Sequence, residues 1–337
     1  MSSPPPEQTL EAPIQSETQE SPSWQAKDTH MQKKQWQTGL FWALLSPVFL
    51  GLIPIFAKIA YNEGGDVLTV VASRTIIAAL LMWGGMVLFK RNLIRSSLPA
   101  IASSLFAGAI NGIGSLFFYA SLTHIDASVG QLVNISYLVF VTMFLRIAGH
   151  AISWLTILRM GLTVFAIFLL TQGGQGQSDK LGVAMMVIAA LTFAIQLVLS
   201  QRIMLDIPAQ TMTLYAITAM AIVVSLAWFI APKAEANIIT MAGWRAIVLM
   251  GLATAMSRLA LFMGVKNLGS IQTALLGVFE TVVTIGLATV LLKESLTVVQ
   301  WIGAGILLLG IFLVRFERGV PRSVDWWQTI WRWRIKK

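Results

Sequence analysis

The sequence predicts an all-α membrane protein with ten transmembrane helices arranged as two inverted five-helix repeats, and three observations predict it. Of 337 residues, 56% are hydrophobic and only 12% charged, with a mean hydropathy of +0.74. That is more apolar than a soluble globular chain sustains. The apolar residues gather into ten helix-length runs, each long enough to cross a hydrocarbon core of about 30 Å. Finally, SLTHIDASVGQLVNISYLVFVTMF, from Ser121, lays over GVKNLGSIQTALLGVFETVVTIGL, from Gly264, at an offset of 143 residues. Each half then holds five spans, an odd number, so the second must insert upside down. Inverted repeats of this kind are a transporter architecture with a substrate site near the midplane.

In chain order, residues 1–38 come first, rich in Pro, Ser, Gln and Glu, with Trp24 and Trp36 the only aromatics. Such a segment buries too little apolar surface to offset its chain entropy and reads as a disordered cytoplasmic tail. A cleaved signal peptide would set an apolar core directly behind a basic start, whereas the first apolar run begins near Gly39. The ten spans read as 39–60, 67–89, 99–121, 128–146, 153–171, 181–202, 211–231, 245–265, 270–292 and 297–316. Turn residues mark the connections, among them NEGGD from Asn62, TQGGQGQSDK from Thr171 and the Asp206-Ile-Pro208 corner. The first repeat is thus 39–172 and the second 173–316, followed by a basic, Trp-rich segment at 317–337. Within it Trp326, Trp327, Trp331 and Trp333 stand among Arg332, Arg334, Lys336 and Lys337, which reads as an interfacial amphipathic helix on an anionic leaflet, with an unstructured basic tail as the alternative.

Ten spans put both termini on one side, and the basic residues choose which. Lys27, Lys33, Lys34, Lys90, Arg91, Arg95, Arg146, Arg202, Lys266, Arg315, Arg318, Arg322, Arg332, Arg334, Lys336 and Lys337 fall on the termini side. Only Lys180, Lys233, Arg245 and Lys293 fall opposite, a ratio of 16 to 4. The termini are therefore expected in the cytoplasm of a bacterial-type plasma membrane. This explains the net charge of +9 better than nucleic acid does, because no compact basic, aromatic soluble domain is visible. With no cysteine there is no disulfide framework or thiolate metal site.

The ninth span carries the sharpest anomaly, Glu280. A charged carboxylate at that depth costs on the order of 2.5 to 3.5 kcal/mol on insertion scales. It can take up a proton, hold a cationic substrate group, or pair structurally with Arg258 one helix earlier. Lys58 and Arg74 lie about two turns from the outer surface, where long side chains snorkel, so anchoring and binding both stay open. Arg159 and Arg258 sit deeper. Four embedded bases against one deep acid favour a substrate bearing a carboxylate. Further polar or aromatic candidates for a cavity are Asn111, Tyr119, Gln131, Asn134 and Tyr137 from the first repeat and Gln196, Tyr215, Ser257 and Gln272 from the second. Gln131, Asn134 and Tyr137 share one helical face, and Tyr137 overlays Glu280 at the repeat offset. The other reading for these groups is interhelical hydrogen bonding, typically under about 1 kcal/mol each.

Several stretches together resemble the EamA-like family of the drug/metabolite transporter superfamily. They are FAKIAY with Lys58, ASRTIIAALL with Arg74, YASLTHIDAS, GVKNLGSIQTALL, and LLKESLTVVQWIGAGILLLGIFLV with Glu294. The resemblance covers residues 40–316 and implies two five-helix repeats that carry a small metabolite, such as an amino acid or related compound, by efflux or exchange. The family commonly has proline in the fourth and ninth spans, where this chain has Tyr137-Leu138 and Glu280-Thr281. The absence of both prolines argues against a flexible break in those two spans, and Pro47 and Pro54 offer a kink in the first span instead.

Other signals read as structural. Gly108-x-x-x-Gly112 is a packing motif, the Asn134-Ile-Ser136 acceptor lies inside a span, and GGQGQSDK lacks the ending of a phosphate loop. Glu294 beside Lys293 reads as a helix-end cap or interfacial anchor. No catalytic constellation, metal site or cofactor motif is legible. The expected partners are a small-molecule substrate and membrane lipid. Two alternatives stay open: a passive uniporter or exchanger with a structural Glu280, and a non-transporting membrane adaptor acting through its tails.

Overall fold

The first element, α1 (Pro22–Asn62), runs as one helix, far longer than the roughly 20 residues a bilayer needs. Its start therefore projects beyond the apolar span, and residues 22–38, read from composition as tail, continue the helix that the span nucleates. The structure is a computed structural model and describes residues 22–147, 154–172, 179–231, 238–269, 273 and 276–313. The Trp-rich segment 317–337 and Gln272 lie outside these residues.

After α1 follow α2 (Val67–Phe89), α3 (Leu98–Ser121), α4 (Ala127–Asn134), α5 (Tyr137–Ile147) and α6 (Trp154–Gln172). The second half holds α7 (Lys180–Ile203), α8 (Ala209–Ile230), α9 (Met241–Leu268), α10 (Val278–Leu287) and α11 (Val298–Phe312). Counting α4 with α5 as the fourth span and α10 with the π-helical turn after it (Ala288–Leu292) as the ninth, the described residues give ten helical segments in two sets of five. Among the described residues, seven helical segments are long and apolar enough to cross a membrane, and 279–292 and 298–310 are shorter apolar helices.

The packing shows the two-fold relation of the halves. α1 packs on α9 as α3 packs on α7, α2 on α9 as α3 on α8, and α1 on α10 as α7 on α4 and α5. α2 meets α8 and α6 meets α11, each the other's image. Every such pair joins one repeat to the other, so neither half buries its helices alone. Phe89, Phe229, Ile230 and Val290 project outward, at least 74% exposed, as lipid-facing side chains must where no water competes.

Small residues set the closest approaches. A Cβ on Gly108 would lie 2.3 Å from the Ala216 carbonyl oxygen, and one on Gly112 3.0 Å from Val223, so this glycine pair seats α3 against α8.

The fourth and ninth spans are each interrupted, by a hydrogen-bonded turn and not by the flexible break that proline would give. α4 ends at Asn134 and α5 begins at Tyr137, and the counterpart of Asn134 at the repeat offset, Gly277, is the turn before α10. No proline is needed because the backbone tightens rather than opens. Ser136 N–H donates to the Val133 carbonyl (3.1 Å), Leu138 N–H to Ile135 (3.1 Å) and Glu280 N–H to Gly277 (2.9 Å). These three-residue steps leave the N–H groups bonded, as an apolar surround requires, at positions where Asn, Ser and Gly favour the helix least.

Past α10, a π-helical turn (Ala288–Leu292) ends at Lys293, which takes the left-handed conformation at φ 57°. The turn sends Glu294 back towards α4.

Candidate functional site

The interior between the two repeats holds a cavity of about 70 Å³, lined from α1, α2, α3, α4, α7, α9 and α10. Its polar lining is Arg74, Asn111, Ser115, Tyr119, Asn134, Thr254, Arg258 and Glu280. Its apolar lining includes Leu50, Ile53, Pro54, Phe118 and Phe193.

Arg74 turns inward from α2 instead of snorkelling and is 2% exposed. One terminal nitrogen donates to Thr254 Oγ1 (2.9 Å) and the other to Ser115 Oγ (2.6 Å), while the guanidinium lies 4.2 Å from the Tyr119 ring centroid. Its Nε has no partner. Thr254 can accept that bond because its own hydroxyl proton goes to the Met250 carbonyl (2.7 Å).

Arg258 projects from α9 into the same space. It donates to Gln196 Oε1 at 3.3 Å and Asn111 Oδ1 at 3.4 Å, both long, and stands 5.2 Å from the Phe193 ring centroid. Asn111 is oriented for this by its amide, which donates to Met220 Sδ (3.2 Å).

Glu280 occupies the first turn of α10 and is 5% exposed. The ion pair with Arg258 that the sequence admits does not form, although Arg258, Tyr119 and Tyr137 all lie within electrostatic reach. Gln131 reaches towards the carboxylate, yet neither of its amide atoms completes a hydrogen bond of good geometry. Tyr137 packs edge-on against Phe193 (4.8 Å between centroids) behind this group.

Some candidates lie elsewhere. Tyr215 donates to the Ile94 carbonyl (2.7 Å) and meets Trp83 edge-on, away from the cavity, and Ser257 donates to the Thr254 carbonyl (3.0 Å). Both are interhelical or local fasteners. Lys58 and Glu294 belong to a second cluster at one end of the bundle, together with Asp126. There the Glu294 carboxylate accepts from the backbone N–H groups of Ala127 (3.0 Å) and Ser128 (2.9 Å), capping a helix of the opposite repeat. The Arg159 side chain lies outside the described residues.

Ser115, Thr254 and Phe193 were not singled out from the sequence. Helical spacing carries the signal for two of them: Ser115 stands one turn from both Asn111 and Tyr119, and Thr254 one turn from Arg258.

Comparison with protein families matches residues 37–172 and again 180–316 to the EamA-like transporter family. The chain is 24% identical over 233 residues to "Uncharacterized transporter sll1319" of Synechocystis sp. (strain ATCC 27184 / PCC 6803 / Kazusa), covering 67% of this chain and 70% of that one. It is also 24% identical over 296 residues to "Uncharacterized transporter YcbK" of Bacillus subtilis (strain 168), covering 82% and 91%. A solved crystal structure with 15% sequence identity superposes at a TM-score of 0.58 over 84% of this chain and 98% of that one, a likeness of fold.

Proposed function

The chain belongs to the EamA-like transporter family of the drug/metabolite transporter superfamily, and from that premise we propose that it is a secondary transporter moving a small metabolite by alternating access. The supporting observation is the central cavity. Arg74 and Asn111 from one repeat meet Arg258 and Glu280 from the other inside it, in a protein whose helices are long and apolar enough to span a membrane. Buried ionisable groups facing a bundle interior mark a transport path more often than a fold requirement. The tightened turns of the fourth and ninth spans lie beside this cavity, as discontinuous helices do in inverted-repeat carriers.

In this reading Glu280 exchanges a proton during the cycle, because it is a buried carboxylate without an ion pair. Both termini face the cytoplasm, as the distribution of lysine and arginine favours. The Glu294 cap then lies on the outer side of the bundle, and residues 1–38 and 317–337 are accessory to transport. Purified protein in proteoliposomes tests the reading: an imposed pH gradient should drive uphill accumulation of a labelled small metabolite. Equilibration that the gradient leaves unchanged would indicate a passive uniporter or exchanger. Loss of a partner, rather than of transport, on deleting 1–35 and 323–337 would indicate an adaptor.

A further inference from the structure

We propose that the cavity is built for a small organic anion, whose carboxylate sits between Arg74 and Arg258 while its apolar body rests on the wall formed by Leu50, Ile53, Pro54, Phe118 and Phe193. The inference rests on the transport reading above and names the substrate class of that same site.

Charge and unused donors both point to an anion. Two guanidinium groups and one carboxylate line the cavity, and among the described residues neither arginine makes an ion pair. Buried charges without counter-ions are costly, and an uncompensated pair of like charges more so. With Glu280 ionised the lining carries one net positive charge, and a ligand of charge −1 neutralises it. A zwitterionic amino acid would leave the excess in place, and an amine would enlarge it.

The donors agree with this. A guanidinium offers five N–H donors in a planar fork suited to carboxylates. Arg74 has committed its two terminal nitrogens to hydroxyls, and its buried Nε–H is unpartnered. Arg258 spends its donors on two amide oxygens at 3.3 and 3.4 Å, long enough to be exchanged for a carboxylate at about 2.8 Å. Tyr119, stacked under Arg74, fixes that guanidinium in place before the ligand arrives. A cavity of about 70 Å³ with a largely apolar wall suits a short carboxylic acid without a large polar body.

The test is thermal unfolding of the full-length protein in detergent at constant ionic strength, since a ligand of the folded state raises its melting temperature. Two matched sets serve as probes: isovalerate, isovaleramide, valine and isobutylamine, and phenylacetate, phenylacetamide, phenylglycine and benzylamine, with sodium chloride as the inorganic anion. At least one of the two acids should raise the melting temperature, its amide and amine should not, and the amino acid should do so less. Arg258→Gln should weaken the stabilising acid roughly tenfold or more, while Arg258→Lys keeps part of the effect. The wild-type comparison needs no variant, so a poorly folded Arg258→Gln leaves the inference testable. It is overturned if neither acid stabilises, if an amide matches its acid, if the amino acids or amines are superior, or if chloride is equivalent. Proteoliposome uptake of the labelled acid separates the two readings. Binding without uptake removes the transport reading and leaves the anion site. Uptake of a neutral or cationic solute without stabilisation by acids does the reverse.

Discussion

Glu294 accepts both the backbone N–H (2.9 Å) and the hydroxyl (2.8 Å) of Ser128, 166 residues earlier in the chain. A carboxylate supplied by one repeat thus neutralises the positive end of a helix in the other. Asp126 stands at the N-cap of α4 and makes no side-chain cap bond of its own. Lys293, held in the left-handed region, turns Glu294 into this position.

Replacing Glu294 by Gln removes the charge and keeps the shape, and the expected cost is about 1 to 2 kcal/mol of stability. Thermal unfolding of Glu294→Gln, Ser128→Ala and the double variant checks it. Ser128→Ala should cost less once Glu294 is gone. Additive losses would mean that the two residues act independently.

Asp126 carries the opposite sign. Burial and, after it, the neighbouring Glu294 carboxylate hold its carboxyl above the usual carboxylate range, with Lys58 pulling it down. A raised carboxyl contributes its stability in full below its unfolded value and loses it as pH climbs through the folded value. Asp126→Asn should therefore stabilise the protein at neutral pH by about 1 kcal/mol or less, given its partial exposure. The gain should vanish in acid, where both side chains are neutral. Melting curves of both proteins across pH decide it, and a neutral-pH loss would contradict the sign.

The ten spans, the repeat offset and the deep placement of Glu280 and Arg258 were legible because apolar length and a lone deep charge are one-dimensional signals. What the sequence hid depends on rotation and register. Arg74 and Lys58 stand at similar depth, yet one is drawn inward by Thr254 and Ser115 while the other stays near Glu294 and Asp126. Tyr215 shares the polarity of the cavity residues, but its helix turns it to the Ile94 carbonyl. The turns in the fourth and ninth spans carry no proline to announce them; local hydrogen bonds around Ser136 and Gly277 accommodate them.

Glycine substitutions separate packing from propensity. A Cβ on Gly108 would meet the carbonyl oxygen and Cα of Ala216 at 2.3 and 2.5 Å, whereas one on Gly84 would meet nothing within 4 Å. Gly108→Ala should then force α3 from α8 at a cost of roughly 1 to 3 kcal/mol. Gly84→Ala should be neutral or stabilising by up to about 1 kcal/mol, since alanine favours helix. Equal melting temperatures for the two variants would rule out the tight α3–α8 contact.

Glu280→Gln joins stability to function. The carboxylate is buried with no ion pair, beside a glutamine whose amide atoms are unbonded, and faces Arg258, Tyr119 and Tyr137. The amide has nearly the same volume and carries no charge, so the cost of burying the carboxylate's charge disappears, which outweighs the lost long-range attraction to Arg258, with which it makes no ion pair. The variant should melt higher, by about 1 kcal/mol or more of stability at neutral pH. Such gains at functional sites commonly come with lost activity. In proteoliposomes the variant should lose accumulation driven by a pH gradient and keep exchange of substrate between the two faces. Wild-type gradient dependence in a stabilised variant would show that Glu280 is not the coupling group. Loss of exchange together with accumulation would assign it to substrate binding instead.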